Sequence, residues 1–539
     1  MCKIQMANRI YLFQKTGGIR SLWFAIVWCA TTFTGLVNAQ NSDPYKVFPG
    51  KSDTLQNAYF LNRLNRQFDQ RRTELQKVLE SKKKLLKRQE SIRKWYFDKV
   101  GPLPPKTQLN PVFSGKVDMG SYTIQKVAFE SKPNHHVTGL FYVPTVGQKP
   151  FPAVYIPCGH TKVAKANEDY QKVARLFALN GFAVLQADPI CQGERFQYLD
   201  ETGMPLTREG TYMHEQLGHA LLLTGKNTLI EELEDNIRCL DFLEQQPGID
   251  RNKLAVAGHS GGGTQTTYLT AFDRRIKAAT PVCYIATSEN KLNTIGSQDG
   301  CQQLWGEGKA GIEEQDFLFM AAPSPVLILA TEEDFFSIKG TRLAYDDLKA
   351  MYTVLNVPEK TDMICSPGEH GWHKPLREAS VQWMKKWLQN DLSPVTEPEH
   401  IGCFDDIKQV NVCPTGQVMT SFPGEKSVSD FTRERVKNCA QNREKYLKDH
   451  SSTEIITMIK RLVGYEEPGR TVHVERVGLV KYGSFEVEKL LISRDNKTTF
   501  ALPALLYTPE QKKDRFPATI IVSQYGKNDS LTQSVIAEE

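Results

Sequence analysis

The pentapeptide Gly258-His259-Ser260-Gly261-Gly262 stands between an apolar run, Leu254-Ala255-Val256-Ala257, and a helical pattern from Thr264 to Thr270. A serine at so sharp a strand-to-helix bend needs neighbours without bulky Cβ groups. The flanking glycines meet that need, and the bend lifts the serine Oγ above the sheet edge at a helix N-terminus. A glycine-rich phosphate loop is the rival reading. It requires a lysine in the loop, and none occurs between Gly258 and Thr267. The bend therefore marks Ser260 as a candidate nucleophile at the carboxyl end of a buried strand.

The surrounding chain supports a mostly parallel sheet. Short apolar runs at Thr123 to Phe129, Thr138 to Val143, Ala153 to Pro157, Ala183 to Asp188, Lys253 to Ala257, Val326 to Ala330 and Asp362 to Cys365 predict strands. Helical patterns lie between the later ones, at Tyr170 to Leu179, Ile230 to Gln245, Gly263 to Phe272 and Ala379 to Gln389. Hairpin strands followed by strand-helix alternation imply a sheet covered on both faces, with its functional loops at the carboxyl ends.

A serine hydroxyl needs a base, and the base needs a carboxylate to orient it. After Ser260, the predicted strand Val326 to Ala330 runs into Thr331-Glu332-Glu333-Asp334-Phe335, and the next runs into Gly368-Glu369-His370-Gly371. The order serine, acid, histidine selects His370 as base, with His373 as competitor. Asp334 is the acid, its short side chain able to turn inward beside Phe335; Glu333 and Glu332 are the alternatives. His160, His214, His219 and His259 read as structural. An oxyanion needs two backbone donors. One is the amide of Gly261 and the other comes from Cys158-Gly159-His160, from Gly159 or His160. From Cys283 to Pro323 a polar, glycine-rich insertion interrupts the alternation; its Trp305 is a candidate for stacking on a sugar ring or for pinning the loop.

The first residues are of another kind. Lys3, Arg9, Lys15 and Arg20 precede an uncharged apolar run from Leu22 to Val37, closed by Val37-Asn38-Ala39. This is the pattern of an export signal cleaved after Ala39, and the run is short for a spanning helix. Residues 40–110 read as a charged helical lead-in carrying Phe60, Leu64, Phe68, Leu75, Leu79, Leu86 and Trp95, with Lys82-Lys83-Lys84 as a solvated face. Residues 111–395 form the catalytic domain and 396–426 a linker. Lys and Arg total 67 against 62 Asp and Glu, a balance of +5 that suggests neither nucleic acid nor an anionic membrane as partner. Of eleven cysteines, Cys2 and Cys29 fall in the leader. Cys403 and Cys413 are the one disulfide guess, while Cys158, Cys191 and Cys239 read as buried. No His/Cys run has zinc spacing, so neither metal nor cofactor is indicated.

The chain also echoes itself. Leu140-Phe141-Tyr142-Val143-Pro144 followed by Phe151-Pro152-Ala153-Val154 returns as Leu505-Leu506-Tyr507-Thr508-Pro509 and Phe516-Pro517-Ala518-Thr519, and Lys162 returns as Lys527. A partial second module over 427–539 is expected, its first core strand at Thr519 to Ser523. The plainer reading is that two hairpin entries look alike.

Pro104-Pro105-Lys106-Thr107-Gln108-Leu109-Asn110, Cys158-Gly159-His160, Asp188-Pro189-Ile190-Cys191-Gln192-Gly193-Glu194-Arg195, the Ser260 bend, Ala322-Pro323-Ser324-Pro325 and Glu369-His370-Gly371 resemble the acetyl-xylan-esterase-like branch of the α/β-hydrolases, related to the dienelactone hydrolases. The likeness runs from about Gly101 to Leu388. It implies an α/β-hydrolase fold, a Ser260, Asp334, His370 triad, and hydrolysis of a small ester or of acetyl groups on a polysaccharide. It also implies that Glu194-Arg195 is a structural ion pair. A prolyl-oligopeptidase-like peptidase is one alternative, although no propeller repeats precede the domain; a glycan-binding protein with a vestigial site is the other.

Overall fold

The computed structural model describes residues 44–48, 55–465, 467, 471–494, 501–511, 515–522 and 526–527. The expected export signal lies outside the described residues. The chain divides into two compact units, Thr54–Pro468 and Met1–Asp53 with Gly469–Glu539.

The larger unit is built on a nine-stranded sheet: β1 (Val112–Asp118), β2 (Tyr122–Lys132), β3 (His135–Pro144), β4 (Phe151–Pro157), β5 (Ala183–Ala187), β6 (Ile249–His259), β7 (Ile276–Val282), β8 (Val326–Glu333) and β9 (Thr361–Glu369). Their spatial order is β1-β2-β3-β5-β4-β6-β7-β8-β9. The first three form an antiparallel meander, β3 meets β5 antiparallel, and every pairing from β5 to β9 is parallel. Helices follow as α1 (Leu55–Leu79), α2 (Lys82–Val100), α3 (Glu168–Leu179), α4 (Thr211–Leu222), α5 (Thr228–Gln245), α6 (Gly261–Phe272) and α7 (Ser288–Thr294). Then come α8 (Glu307–Ala310), α9 (Glu314–Met320), α10 (Ile338–Val354), α11 (Lys374–Met384), α12 (Val418–Ser421), α13 (Val428–Asp449) and α14 (Ser452–Leu462).

Side chains alternate across the strands, so adjacent residues enter opposite cores. Tyr155, Val256 and Ile328 pack with α2, α5, α6 and α10 on one face, whereas Val154, Ala255, Ala257, Leu327 and Leu329 pack with α3 and α11 on the other. This two-sided cover gives the expected α/β-hydrolase architecture. Two strands escape the sequence pattern. β1 is largely exposed, and β7 carries Lys277 and Pro281 within its apolar run.

The lead-in is two helices, not one stripe. α1 ends at Leu79, and Ser81 starts α2 by accepting the Lys84 amide at 3.3 Å. That restart shifts the helical phase, so on α2 Leu85 and Tyr96 are buried while Leu86 is exposed; on α1, Phe60 is exposed as well. The Lys82 to Lys84 run is exposed. Arg71 on α1 pairs with Asp316 on α9 at 3.0 Å and with Asp347 on α10 at 2.8 Å; Arg88 reaches Asp316 at 3.1 Å. Although burial opposes its charge, these carboxylates hold the Arg71 guanidinium above its ordinary range.

Residues 396–426 are packed strap, not free linker. Val410, Val412 and Cys413 are buried, and Arg377 clasps Glu397 at 2.6 Å. The helix that opens the expected second module also belongs to the larger unit: the Val428 amide donates to Gln197 at 2.8 Å, and Arg435 pairs with Glu231 at 2.6 Å. Cys403 and Cys413 are unpaired. The Cys403 thiol faces the Glu168 carbonyl, while Cys413 is drawn to Glu194, where its amide donates at 2.7 Å.

The smaller unit holds an antiparallel meander of β10 (Val472–Tyr482), β11 (Phe485–Arg494) and β12 (Leu502–Pro509). It repeats β1-β2-β3 in detail. Val487 pairs with Tyr507 as Ile124 pairs with Tyr142, and a register break falls at Gly478 as it does at Gly115. Lys489 crosses the one glycine and Lys126 the other, 3.2 and 3.5 Å from where a Cβ would stand. Residues 515–522, which include most of the expected first core strand, are irregular; Ser523 lies outside the described residues.

Asp316→Ala leaves the buried Arg71 cation without its closest partner. It is expected to cost about 3–5 kcal/mol of stability, read from urea denaturation followed by tryptophan fluorescence.

Candidate active site

At the end of β6 the backbone turns through Ser260 with φ 57° and ψ −121°, and α6 begins at Gly261. The turn admits no Cβ at its hinges: one on Gly258 would stand 2.3 Å from the Gly262 carbonyl oxygen, and one on Gly262 would stand 2.2 Å from that of Pro157. The Ser260 amide is held by the Val282 carbonyl at 2.9 Å, so β7 braces the bend. As the first residue of a helix, Gly261 has an amide without an intrahelical acceptor.

Asp334 and His370 come together from the carboxyl ends of β8 and β9. His370 Nδ1 lies 2.9 and 3.0 Å from the two Asp334 oxygens, which leaves Nε2 on the opposite edge of the ring. The Asp334 carboxylate is almost fully buried and also accepts from the Phe336 amide at 2.9 Å and from Thr331 at 3.3 Å. Glu332 and Glu333 are exposed. The competing histidine is engaged elsewhere, with His373 Nε2 2.8 Å from the Glu369 carbonyl.

Ser260 and His370 share a cleft of about 460 Å³. One wall carries His160, Thr161, Tyr170 and His259, another carries Phe335 and Phe336, and the insertion contributes Ile295, Ser297, Gln298, Asp299 and Gln302. Thr211 from α4 completes it. The described lining includes neither lysine nor arginine, and burial with Glu215 nearby pushes the Asp299 carboxyl up. Trp305, the candidate for stacking on a sugar ring or for pinning the loop, is not part of this lining. It is 70% exposed and lies under Lys99 Nζ at 4.8 Å, because the insertion turns there into α8.

The loop after β4 is fastened at each step. The Cys158 carbonyl accepts from Gln265 at 3.2 Å, and Gln192 donates to the carbonyls of Gly159 at 2.5 Å and Thr161 at 3.1 Å. The Gly159 amide donates to the Tyr170 hydroxyl at 2.5 Å, which in turn donates to the His259 carbonyl at 3.0 Å. The expectation that Gly159 offers a free amide is thereby corrected: that donor is occupied. Of the two amides expected there, Gly159 is thus taken and His160 remains the expectation. Tyr170 and Gln192 went unnoticed in the sequence, where one looks like a core residue of an amphipathic helix and the other lies in a run whose charged neighbours draw the eye.

Glu194 and Arg195 are both buried, yet they serve different pairs. Glu194 meets Lys165 at 2.6 Å and accepts the amides of Val412 and Cys413; Arg195 meets Asp235 at 2.6 Å. Adjacent residues of this irregular segment face opposite ways, which separates the two side chains.

Residues 99–291 match the family model described as acetyl xylan esterase (AXE1). YtaP of Bacillus subtilis (strain 168), named as a hydrolase, is 22% identical over 174 residues, 31% of this chain and 57% of that protein. The chain thus matches little more than half the length of that relative. Among solved structures, the methylesterase BT1017 superposes with a TM-score of 0.52 at 20% identity, covering 70% of this chain and 81% of the other, which shows a shared fold.

Tyr170→Phe strands a buried amide and weakens the clamp on the bend. A loss of about 1–3 kcal/mol is expected, measured by chemical denaturation, with the secondary structure unchanged by circular dichroism. Sheet order and the likeness to a solved structure give the larger unit the α/β-hydrolase fold, and the segment carrying the Ser260 bend lies within the region similar to the acetyl xylan esterase family.

Proposed function

We propose that this chain is an exported serine esterase that removes small acyl groups, acetyl above all, from uncharged polysaccharide. The reading is supported by one observation: a carboxylate-anchored imidazole, His370 on Asp334, opens onto the same cleft as a serine held at a positive-φ bend.

In this mechanism His370 Nε2 takes the Ser260 proton as Oγ attacks the ester carbonyl, and Asp334 stabilises the resulting imidazolium. The tetrahedral oxyanion is met by the amides of Gly261 and His160, donors already fixed before substrate arrives. His370 then returns the proton to the departing alcohol, leaving an acyl-Ser260 ester. Water, deprotonated by the same imidazole, releases the acid and restores the serine. A cleft whose described lining mixes aromatic, hydroxyl and amide side chains and includes no lysine or arginine suits a neutral sugar better than a polyanionic one, because desolvating substrate carboxylates there would go uncompensated. Export rests on the basic and apolar pattern that ends at Ala39. No helix among the described residues is long and apolar enough to cross a membrane.

The test is hydrolysis of p-nitrophenyl acetate together with acetate release from acetylated xylan. Ser260→Ala and His370→Ala are expected to lower kcat by roughly 10⁴ to 10⁶-fold, and Asp334→Asn by about 10⁴-fold. Turnover unchanged in Ser260→Ala would refute the mechanism, and xylan binding without acetate release would point to a glycan-binding role. Cleavage of a prolyl peptide in preference to both esters would favour the peptidase reading.

A further inference from the structure

Next to the cleft, three residues far apart in sequence converge: His160 from the loop after β4, His214 from α4, and Cys301 from the insertion. One ligand atom from each lies within 4.8 Å of the others, and Cys301 Sγ is 3.4 Å from His160 Nε2. The two imidazoles stand edge to face with centroids 5.3 Å apart. We propose that His160, His214 and Cys301 bind a zinc ion, or a thiophilic divalent transition-metal ion of similar preference, at a buried site that fastens the insertion to the catalytic body.

The donor set carries the assignment. Two imidazole nitrogens and a sulfur suit zinc and disfavour magnesium or calcium, which take oxygen ligands. His214 is already arranged as a ligand would be. Its Nε2 lies 2.7 Å from the Ile190 carbonyl, which fixes the N–H there and leaves the lone pair on Nδ1. That Nδ1 is buried and has no hydrogen-bond partner among the described residues, on a side chain only 1% exposed. An orphaned buried nitrogen is costly, and a metal ion would repay it.

Charge also balances. The Cys301 ligand would bind as the thiolate, its proton leaving to solvent as the metal–sulfur bond forms. Glu232, buried on α5 with its carboxyl 3.6 Å from His214 Nε2, has an oxygen without a partner among the described residues. A divalent ion bound to one thiolate, with this carboxylate beside the far edge of the His214 ring, leaves the buried assembly close to neutral. Sequence spacing was silent here because the ligands come from three separate segments. Since the proposed oxyanion amide belongs to His160 and the cleft wall Gln298 to Gln302 adjoins Cys301, the ion would position both.

The experiment uses the full chain, stripped with a chelator, dialysed against zinc chloride and then against buffer, with bound zinc read by elemental analysis. A single equivalent per chain is expected, with a rise in Tm on zinc addition. Cobalt(II) loading is expected to give a thiolate-to-metal charge-transfer band. Cys301→Ser and His214→Gln each lose the equivalent, the Tm rise and the band; Cys403→Ser, a half-exposed thiol elsewhere, keeps all three. Wild-type protein retaining well under one equivalent, or lacking the cobalt band, overturns the site whether or not the variants fold. So does full retention in any folded Cys301 or His214 variant, or loss in Cys283→Ser, which would move the ion to the cluster of His259, Cys283 and His370. Because these readouts are independent of ester turnover, they fail separately from the esterase proposal.

Discussion

A backbone bent so tightly that a Cβ at either hinge would collide with a carbonyl oxygen can exist only if its neighbours hold it there. At Ser260 the oxygens concerned belong to Gly262 and to Pro157 on the adjacent strand, so α6 must start hard against the end of β4. That closeness makes the loop after β4 a wall of the cleft. It also brings the Tyr170 hydroxyl between the Gly159 amide and the His259 carbonyl, joining the turn that carries the serine to the loop across from it. The cost of a left-handed serine is of order 1–3 kcal/mol, and it is offset by these fixed contacts and by β7, whose Val282 carbonyl holds the Ser260 amide.

Around this centre, segments remote in sequence are joined by buried charge. Lys165 bridges Asp188 and Glu194, Arg195 meets Asp235, Arg377 meets Glu397, and Arg71 meets Asp316. Burial alone would drive Lys165 toward neutrality, yet its two carboxylates hold it charged above its ordinary range. Such pairs add little net stability compared with a well-packed apolar core. Their effect is specificity, since each charge tolerates only the one docking arrangement that supplies its counterpart. The lead-in helices and the strap over 396–426 are thereby integral to the domain.

The cleft follows another logic. It is lined by imidazole, phenol and phenyl rings together with amides and hydroxyls, and has Asp299 as its one acidic lining residue among those described. The described lining carries neither lysine nor arginine, and aromatic rings stand beside the imidazole. His370 is flanked by Phe335 at 4.3 Å and His259 at 4.5 Å between ring centroids.

The bend at Ser260 and the pairing of Asp334 with His370 could be anticipated from the sequence because each residue is tied to a local pattern: a glycine-flanked bend after an apolar run, and loops that follow further apolar runs. The parallel sheet was legible for the same reason, and the hairpin echo proved to extend to a bulge glycine crossed by a lysine in both copies. What local pattern does not encode is which way a side chain faces once distant segments meet. Only the folded chain shows that Tyr170 occupies the Gly159 amide, that Trp305 turns to Lys99 away from the cleft, that Glu194 and Arg195 part company, and that His160, His214 and Cys301 converge. Periodicity reports a residue's own strand or helix. Partners across the fold are chosen by packing and by the need of every buried polar group for a counterpart, and neither is written in the spacing of residues along the chain.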